Sequence, residues 1–412
     1  MKKLLLSLLF IFSILFSTTT SIASSTTPNS FTFNGSGFGH GVGLSQIGAK
    51  GMALAGKNAT EILQYFFPGT EVVPIDDTAI LKVNVAHLTS SVDFNISAKN
   101  PNDIFSVIDA NNLAVDNSLL SNQKSLNATL VQNQIQIYTV STNGTKSSLG
   151  ASSYWKISWS NETTNVSLKN SGIITLLKYG FLELYSVLDK SGNYHLEVVN
   201  DISLHDQYLL GLGEVSNGWP PAAIQAQIIA SRTYAYKRKD FIKPECQCNL
   251  YGNKFDQVFV GYNKELMLWG ARYRQDVIAT DSSPSQGLVI EYKNQPIDIY
   301  YFSSDGGITQ AGKDVWGLDR PYLTNVSDPY SVNDQLNPGY AHWHRTYQTS
   351  QIAAWLGMKD VVRIDPIGKS AAGANQKIAV YGSDGTKKLL SISAFKTSVL
   401  LPSSWFSIQP NY

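Results

Sequence analysis

The sequence predicts an α+β protein: a mixed α/β domain with a β-rich module inserted between an N-terminal signature segment and the rest. Three features point there. Residues 80–200 are rich in Asn, Ser and Thr and run in short alternating stretches. Residues 201–412 mix apolar helical runs with short strands. Residues 31–71 open on a glycine-dense strand-to-loop segment unlike either. The chain has 412 residues, and at about 150 residues per domain that is room for two or three.

Lys2-Lys3 precedes an unbroken run of Leu, Ile, Phe and Ser from Leu4 to Phe16, and Ser21-Ile22-Ala23 offers small residues at a cleavage site. The run is shorter than the about 20 residues a membrane-spanning helix needs. Residues 1–23 therefore read as a signal peptide, giving an exported chain with no stable membrane anchor after cleavage, in the wall, the periplasm or the medium. In the signature segment, Phe31-Thr-Phe33 is a strand and Leu44–Ala55 a helix. A second helix starts at Asn58, where Asn58-Ala-Thr-Glu61 has capping-box spacing, and Pro68-Gly69 stops it.

In the β-rich module Gln134–Ile137 alternates strictly, Gly180–Val187 and Tyr194–Val198 form a hairpin, and Pro101–Asn111 reads as a helix. His195 lies on the polar face of its strand, without a predicted role. In the third part, Pro220-Pro221 begins a helix to about Lys239 that is apolar nearly all round and so buried. A helix near Lys264–Ile278 precedes a hairpin of Leu288–Tyr292 with Ile297–Phe302, then the polar turn Ser303–Gly307. From Lys377 short strands alternate with turns.

Hydrophobic residues make up 43% and charged residues 15%, which gives a sizeable core and excludes wholesale disorder. Lys plus Arg is 32 against 31 for Asp plus Glu, so the electrostatic footprint of a nucleic-acid binder is missing. The polar bulk is neutral, with 21 Tyr and 8 Trp. Neutral donors with aromatic faces suit uncharged, hydroxyl-rich ligands such as glycans, and equally suit an ordinary exported β-protein.

Four constellations can carry chemistry. Glu214 sits among Leu, Gly, Val and Trp, where burial raises a carboxyl pKa and favours a neutral acid; a partly exposed helix-end Glu is the plain alternative. Gln225 and Arg232 project within about 20° of each other on the buried helix. A buried Arg must be paired, so Arg232 either holds Glu214 or Asp256 or lines a pocket with Gln225 and Tyr234. The loop Gly37–Gly43 lets backbone approach a ligand closely, with His40, Gly41, Ser45 and Gln46 beside it; packing of His40 is the alternative. No phosphate-loop spacing occurs there. Ser303, Ser304, Gly306, Gly307 and Thr309 either hydrogen-bond sugars or make a turn. No serine-hydrolase elbow is present. Cys246 and Cys248 suit a strained disulfide or two thiols better than a metal, which would need further ligands, and no cofactor is expected.

The run Tyr208–Pro220 with Glu214, then Ala223–Ala235, Asp256–Phe259, Tyr301–Thr309 and Val315–Gly317, resembles the sporulation stage II protein D / amidase-enhancer (SpoIID/LytB) family. The segment Gly37–Ala49 is similar to that family's glycine-histidine signature. The likeness covers 31–71 and 201–412. It implies action on peptidoglycan glycan strands as a lytic transglycosylase with Glu214 as acid/base, no metal since the family's His ligands are missing here, and a cell-wall amidase as a partner. Two rivals stand beside this: a non-catalytic glycan-binding protein that enhances a separate amidase, and a purely adhesive β-protein. The glycine-histidine segment comes last in the family and first here. A circular permutation is therefore expected, with Phe31–Phe33 pairing with the strand near Phe406–Ile408 and His40 returning to the Glu214 cleft.

Overall fold

The computed structural model describes residues 27–98, 105–111, 113–115, 125–141, 143–160 and 164–412. The expected signal peptide and Pro101–Ile104 lie outside them. The protein is mixed α/β, with several sheets and short helices.

The first strand, Ser30–Ser36, is the middle of a three-stranded sheet. On one side it pairs antiparallel with Trp343–Gln348, on the other with the last strand, Trp405–Asn411, in the register Phe33↔Ile408 and Gly35↔Phe406. The two ends of the chain are thus knitted together, as the sequence suggested. Phe31 and Phe33 enter a core with Ile352, Ile364, Ile378, Phe395 and Phe406. A second sheet, of Arg363–Lys369, Asn375–Tyr381 and Lys387–Ser391, and the helix Ile392–Ser398 complete this C-terminal part.

Residues 80–203 form a five-stranded and a six-stranded sheet packed face to face. Phe105–Asp109 is a strand in one of them, paired with Tyr154–Trp159, and not the expected helix. Its alternation decides the matter: Val107 points into the core, opposite Ile157, while its neighbours face outward. The hairpin of Phe181–Leu188 and Tyr194–Ser203 is present. His195 bonds Asp189 at 2.8 Å, and both faces of its strand become buried from Leu196 onward. This core does not close at residue 200, because Tyr208, Leu210, Ile224 and Ile228 share it and Leu250–Tyr251 extends one sheet.

Asn58 caps the helix Ala59–Phe66 through the reciprocal bonds with Glu61 expected of a capping box. The helix Pro221–Tyr236 lies between two cores, with Ile224 and Ile228 in one and Ala226, Ile229 and Ala230 in the other. The expected Lys264–Ile278 helix is broken into Asn263–Leu266 and Gly270–Ile278. Trp269 between them is left-handed (φ 65°), and a Cβ on Gly270 would lie 1.9 Å from the Glu265 carbonyl oxygen. The strand Gln286–Tyr292 turns back only through Gln295–Pro296. Tyr301–Phe302 leaves the expected hairpin and pairs parallel with Leu44–Ser45 instead. Cys246 and Cys248 form a disulfide. Among the described residues no helix is long and apolar enough to cross a membrane.

Arg232 is fully buried, and it holds neither Glu214 nor Asp256. Its guanidinium bonds Asp77 at 2.8 Å, Asp281 at 2.6 Å and the Thr280 hydroxyl at 2.9 Å, with His205 closing on Asp77 at 2.6 Å. Truncating one partner of a buried ion pair strands the others, a cost of about 3–5 kcal/mol. Arg232→Met is therefore expected to lose that much stability in urea unfolding; a side chain that only bound substrate would leave the transition unmoved.

Candidate active site

Glu214 lies in the loop between Leu209–Gly211 and the buried helix. The loop is fastened to a neighbouring segment: Gly213 N–H donates to the Val258 carbonyl at 2.7 Å, and Val260 N–H to Gly211 at 2.8 Å. Val258 N–H in turn donates to the Glu214 carboxylate at 2.6 Å. The Tyr301 hydroxyl hydrogen-bonds the same carboxylate.

Behind Tyr301 runs an ordered chain of donors. Tyr208 donates its hydroxyl to Gln257 Oε1 at 2.8 Å, and Gln257 Nε2 donates to the Tyr301 hydroxyl at 3.1 Å. Because the Tyr301 oxygen accepts from Gln257, its proton is free for Glu214. Burial pushes the Glu214 pKa up, while the Val258 N–H, Tyr301 and the nearby Lys264 pull it back; burial prevails. Lys264 is itself buried against the Val215 carbonyl at 2.5 Å, and burial lowers its pKa to about 8.

Two pockets, of about 630 and 530 Å³, meet at Glu214, Gln46 and Ser303, which line both. The first is walled by Trp219, Val260, Met267, Leu268 and Trp269. The second is walled by Phe38, His40, Tyr234, Phe255, Tyr300 and Trp316. Trp269, Phe255, Phe38 and Trp316 remain 41–68% exposed, so both arms offer open aromatic faces. Asp256, the other carboxylate of this groove, is engaged by Tyr234 at 2.7 Å, Lys243 at 2.6 Å and Tyr251 N–H at 2.8 Å.

Of the residues singled out in the sequence, Glu214, Tyr234, His40, Gln46 and Ser303 line the groove. Gln46 Nε2 reaches the Glu214 carbonyl oxygen at 3.5 Å and Gln227 at 3.3 Å. His40 is not free to bind a ligand through its nitrogens. Nδ1 accepts from Val42 N–H at 3.1 Å, and the ring also bonds the Tyr301 backbone. Burial, with Lys396 nearby, lowers its pKa to about 4 and keeps it neutral. What it presents is a ring 4.8 Å from Trp316.

The others are elsewhere. Gln225 bonds Asp276 at 3.3 Å, and Arg232 belongs to the cluster described above. Ser45 is buried, caps the helix Gln46–Leu54 and meets Ser331 at 3.1 Å. Ser304 pairs through its backbone with Phe38, and Thr309 bonds the Thr324 carbonyl at 3.0 Å. Gly307 N–H binds Asp305 at 2.7 Å. Gly41 and Gly306 lie against the Trp405 ring, where added Cβ atoms would be 2.2 and 2.4 Å away. Beyond Ser303, Ser304, Gly306, Gly307 and Thr309 form a turn and line neither pocket. The sequence reading missed Tyr301, Gln257 and the aromatic rims. The run Tyr300-Tyr301-Phe302 beside a polar turn was the available signal.

The raised Glu214 pKa gives a test. The folded chain holds this proton to higher pH than the unfolded chain, so stability falls as pH rises from the ordinary glutamate value of about 4.3 through the raised one. Glu214→Gln removes that loss. Its stability relative to the parent is expected to be greater at pH 8 than at pH 4 in paired urea titrations.

Residues 192–292 match the family model SpoIID, described as Stage II sporulation protein. Stage II sporulation protein D of Bacillus amyloliquefaciens is 26% identical over 161 residues, 37% of this chain and 46% of the relative. Its counterpart in Bacillus subtilis (strain 168) is 27% identical over 163 residues, again 37% and 46%. The protein named Amidase enhancer from Bacillus subtilis (strain 168) is 30% identical over 115 residues, 28% of this chain and 14% of the relative. The chain thus spans about half the length of the two sporulation proteins and less of the third. No solved structure matches it. The segment 192–292, which carries Glu214, is thus similar to the SpoIID family and to proteins named Stage II sporulation protein D and Amidase enhancer.

Proposed function

We propose that this chain cleaves the glycan strands of peptidoglycan as a lytic transglycosylase, with Glu214 as the one acid/base. The observation that carries the reading is a partly buried carboxyl of raised pKa at the meeting point of two pockets rimmed by exposed aromatic rings. Aromatic faces suit sugar rings, and a raised pKa keeps the carboxyl protonated as an acid must be.

The chemistry needs no second carboxylate. Glu214 gives its proton to the glycosidic oxygen as the bond to the anomeric carbon of muramic acid breaks. The resulting carboxylate then takes the proton of the 6-hydroxyl of that same sugar as its oxygen bonds to the anomeric carbon. The product is a 1,6-anhydro end, and no water enters. A hydrolase of the usual kind would need a second free carboxylate, and Asp256 is committed to Tyr234 and Lys243. Gln46 and Ser303 are the neutral groups at the junction.

The relative named Amidase enhancer supports a second reading, a glycan-binding wall protein that enhances a separate amidase and works without Glu214 chemistry. Denuded and peptide-bearing glycan strands incubated with the parent and with Glu214→Gln separate the two. Mass spectrometry is expected to find 1,6-anhydromuramic ends with the parent and a loss of roughly a thousandfold in rate in the variant. Binding by both proteins with no new ends would favour the enhancer. Activity of the parent is also expected to fall as pH rises through the Glu214 pKa, since the proton donor is then lost.

A further inference from the structure

A groove of about 1060 Å³ lies in the C-terminal part, larger than either pocket at Glu214 and sharing no lining residue with them. It runs between the two three-stranded sheets, along Arg363–Lys369 and Trp405–Asn411. Each of these is the outermost strand of its sheet, with no ladder partner on its outer side among the described residues. Consecutive residues line the groove on both walls, 362–366 and 405–408. A groove bounded by one face of a strand would show alternate residues; one that follows the backbone edge shows consecutive ones.

The two sheets are stapled at one end. Asn375 N–H donates to the Ser404 carbonyl at 2.9 Å, and its side-chain amide to the Phe406 carbonyl at 2.8 Å. The Phe406 carbonyl therefore faces away from the first strand, and alternation turns the Ile408 and Pro410 carbonyls the same way. The Ile408 N–H points outward with them, while Pro410, which has no N–H, ends the run of donors. At the stapled end Asn375 is buried and lines the groove, and its Oδ1 has no hydrogen-bond partner.

We propose that this groove binds an extended, acidic segment of an L-polypeptide partner, added as a strand along the outer edge of Trp405–Asn411. Main-chain donors and acceptors at strand spacing recognise a peptide rather than a sugar chain. Beyond the staple, Ser407–Asn411 leaves a free edge about 17 Å long. The charge of the walls sets the sign of the partner. Arg363 and Lys369 line the groove against one acid, Asp365, which Arg363 already pairs at 3.0 Å. Lys369 is exposed and, among the described residues, pairs with no carboxylate. A wall stem peptide is acidic too, but its alternating L and D residues cannot keep the strand conformation that the edge requires.

The test uses the mature chain on an array of random L-heptapeptides, then titrates the best binder and its all-D mirror by fluorescence anisotropy. Hydrogen exchange with the peptide bound locates the site. The expected result is enrichment of Asp and Glu among bound peptides, added protection at the Ile408 amide, and no binding of the D mirror. Lys369→Glu, a change at an exposed position, is expected to weaken binding at least fivefold, while Glu214→Gln leaves it unchanged, so this site stands or falls apart from the catalytic reading. An array with no binder below millimolar, protection elsewhere, equal binding of the D mirror, or indifference to Lys369→Glu would each overturn the proposal.

Discussion

The site depends on one crossing of backbone. Phe38 bridges Ser304, and Leu44–Ser45 runs parallel to Tyr301–Phe302, so the beginning of the chain lies along residues 301–304. That contact places Tyr301, Ser303 and Gln46 around Glu214 at once, although Gln46 and Glu214 are 168 residues apart. It is held from both sides. Gly41 and Gly306 sit flush on Trp405, Lys396 Nζ reaches the Gly39 carbonyl at 3.1 Å, and the neutral His40 ring ties the loop to the Tyr301 backbone. The closure of the first strand on the last is what brings those clamps within reach.

Upon this crossing rests the electrostatics. A partly buried carboxyl is a poorer anion than one in water, and Glu214 stays an acid because the donors around it offset its burial only in part. The Tyr208–Gln257–Tyr301 chain fixes which way the last hydroxyl points, and so supplies an oriented dipole to the carboxylate once the proton has left. The arrangement needs a rigid second layer. Arg232 and its acidic partners supply it on the far side of the helix that follows Glu214.

Much of this was readable in the sequence where the cause is local. The Asn58–Glu61 cap, the proline start of the buried helix, and the setting of Glu214 among Leu, Gly and Trp each depend on neighbours a few residues away. The misreadings are long-range. Arg232 was expected to hold Glu214 or Asp256 or to line a pocket, but its partners are Asp77, which lies 155 residues earlier, and Asp281, and periodicity along one helix cannot say what packs on it. Ser45, Ser304 and Thr309 carry the right groups for sugars, yet the crossing turns them into the core. Conversely Phe38, Phe255 and Trp316 are apolar in sequence and exposed at the groove, an inversion that only the fold reveals.

The claim at the centre is that folding keeps the Glu214 carboxyl protonated beyond the ordinary range. A carbon-13 NMR titration of labelled glutamate, with Glu214→Gln to assign the signal, measures it directly. The account predicts a midpoint clearly above about 4.3, and higher again when Tyr301 is replaced by Phe. A midpoint at or below that value, or one indifferent to Tyr301, would contradict it.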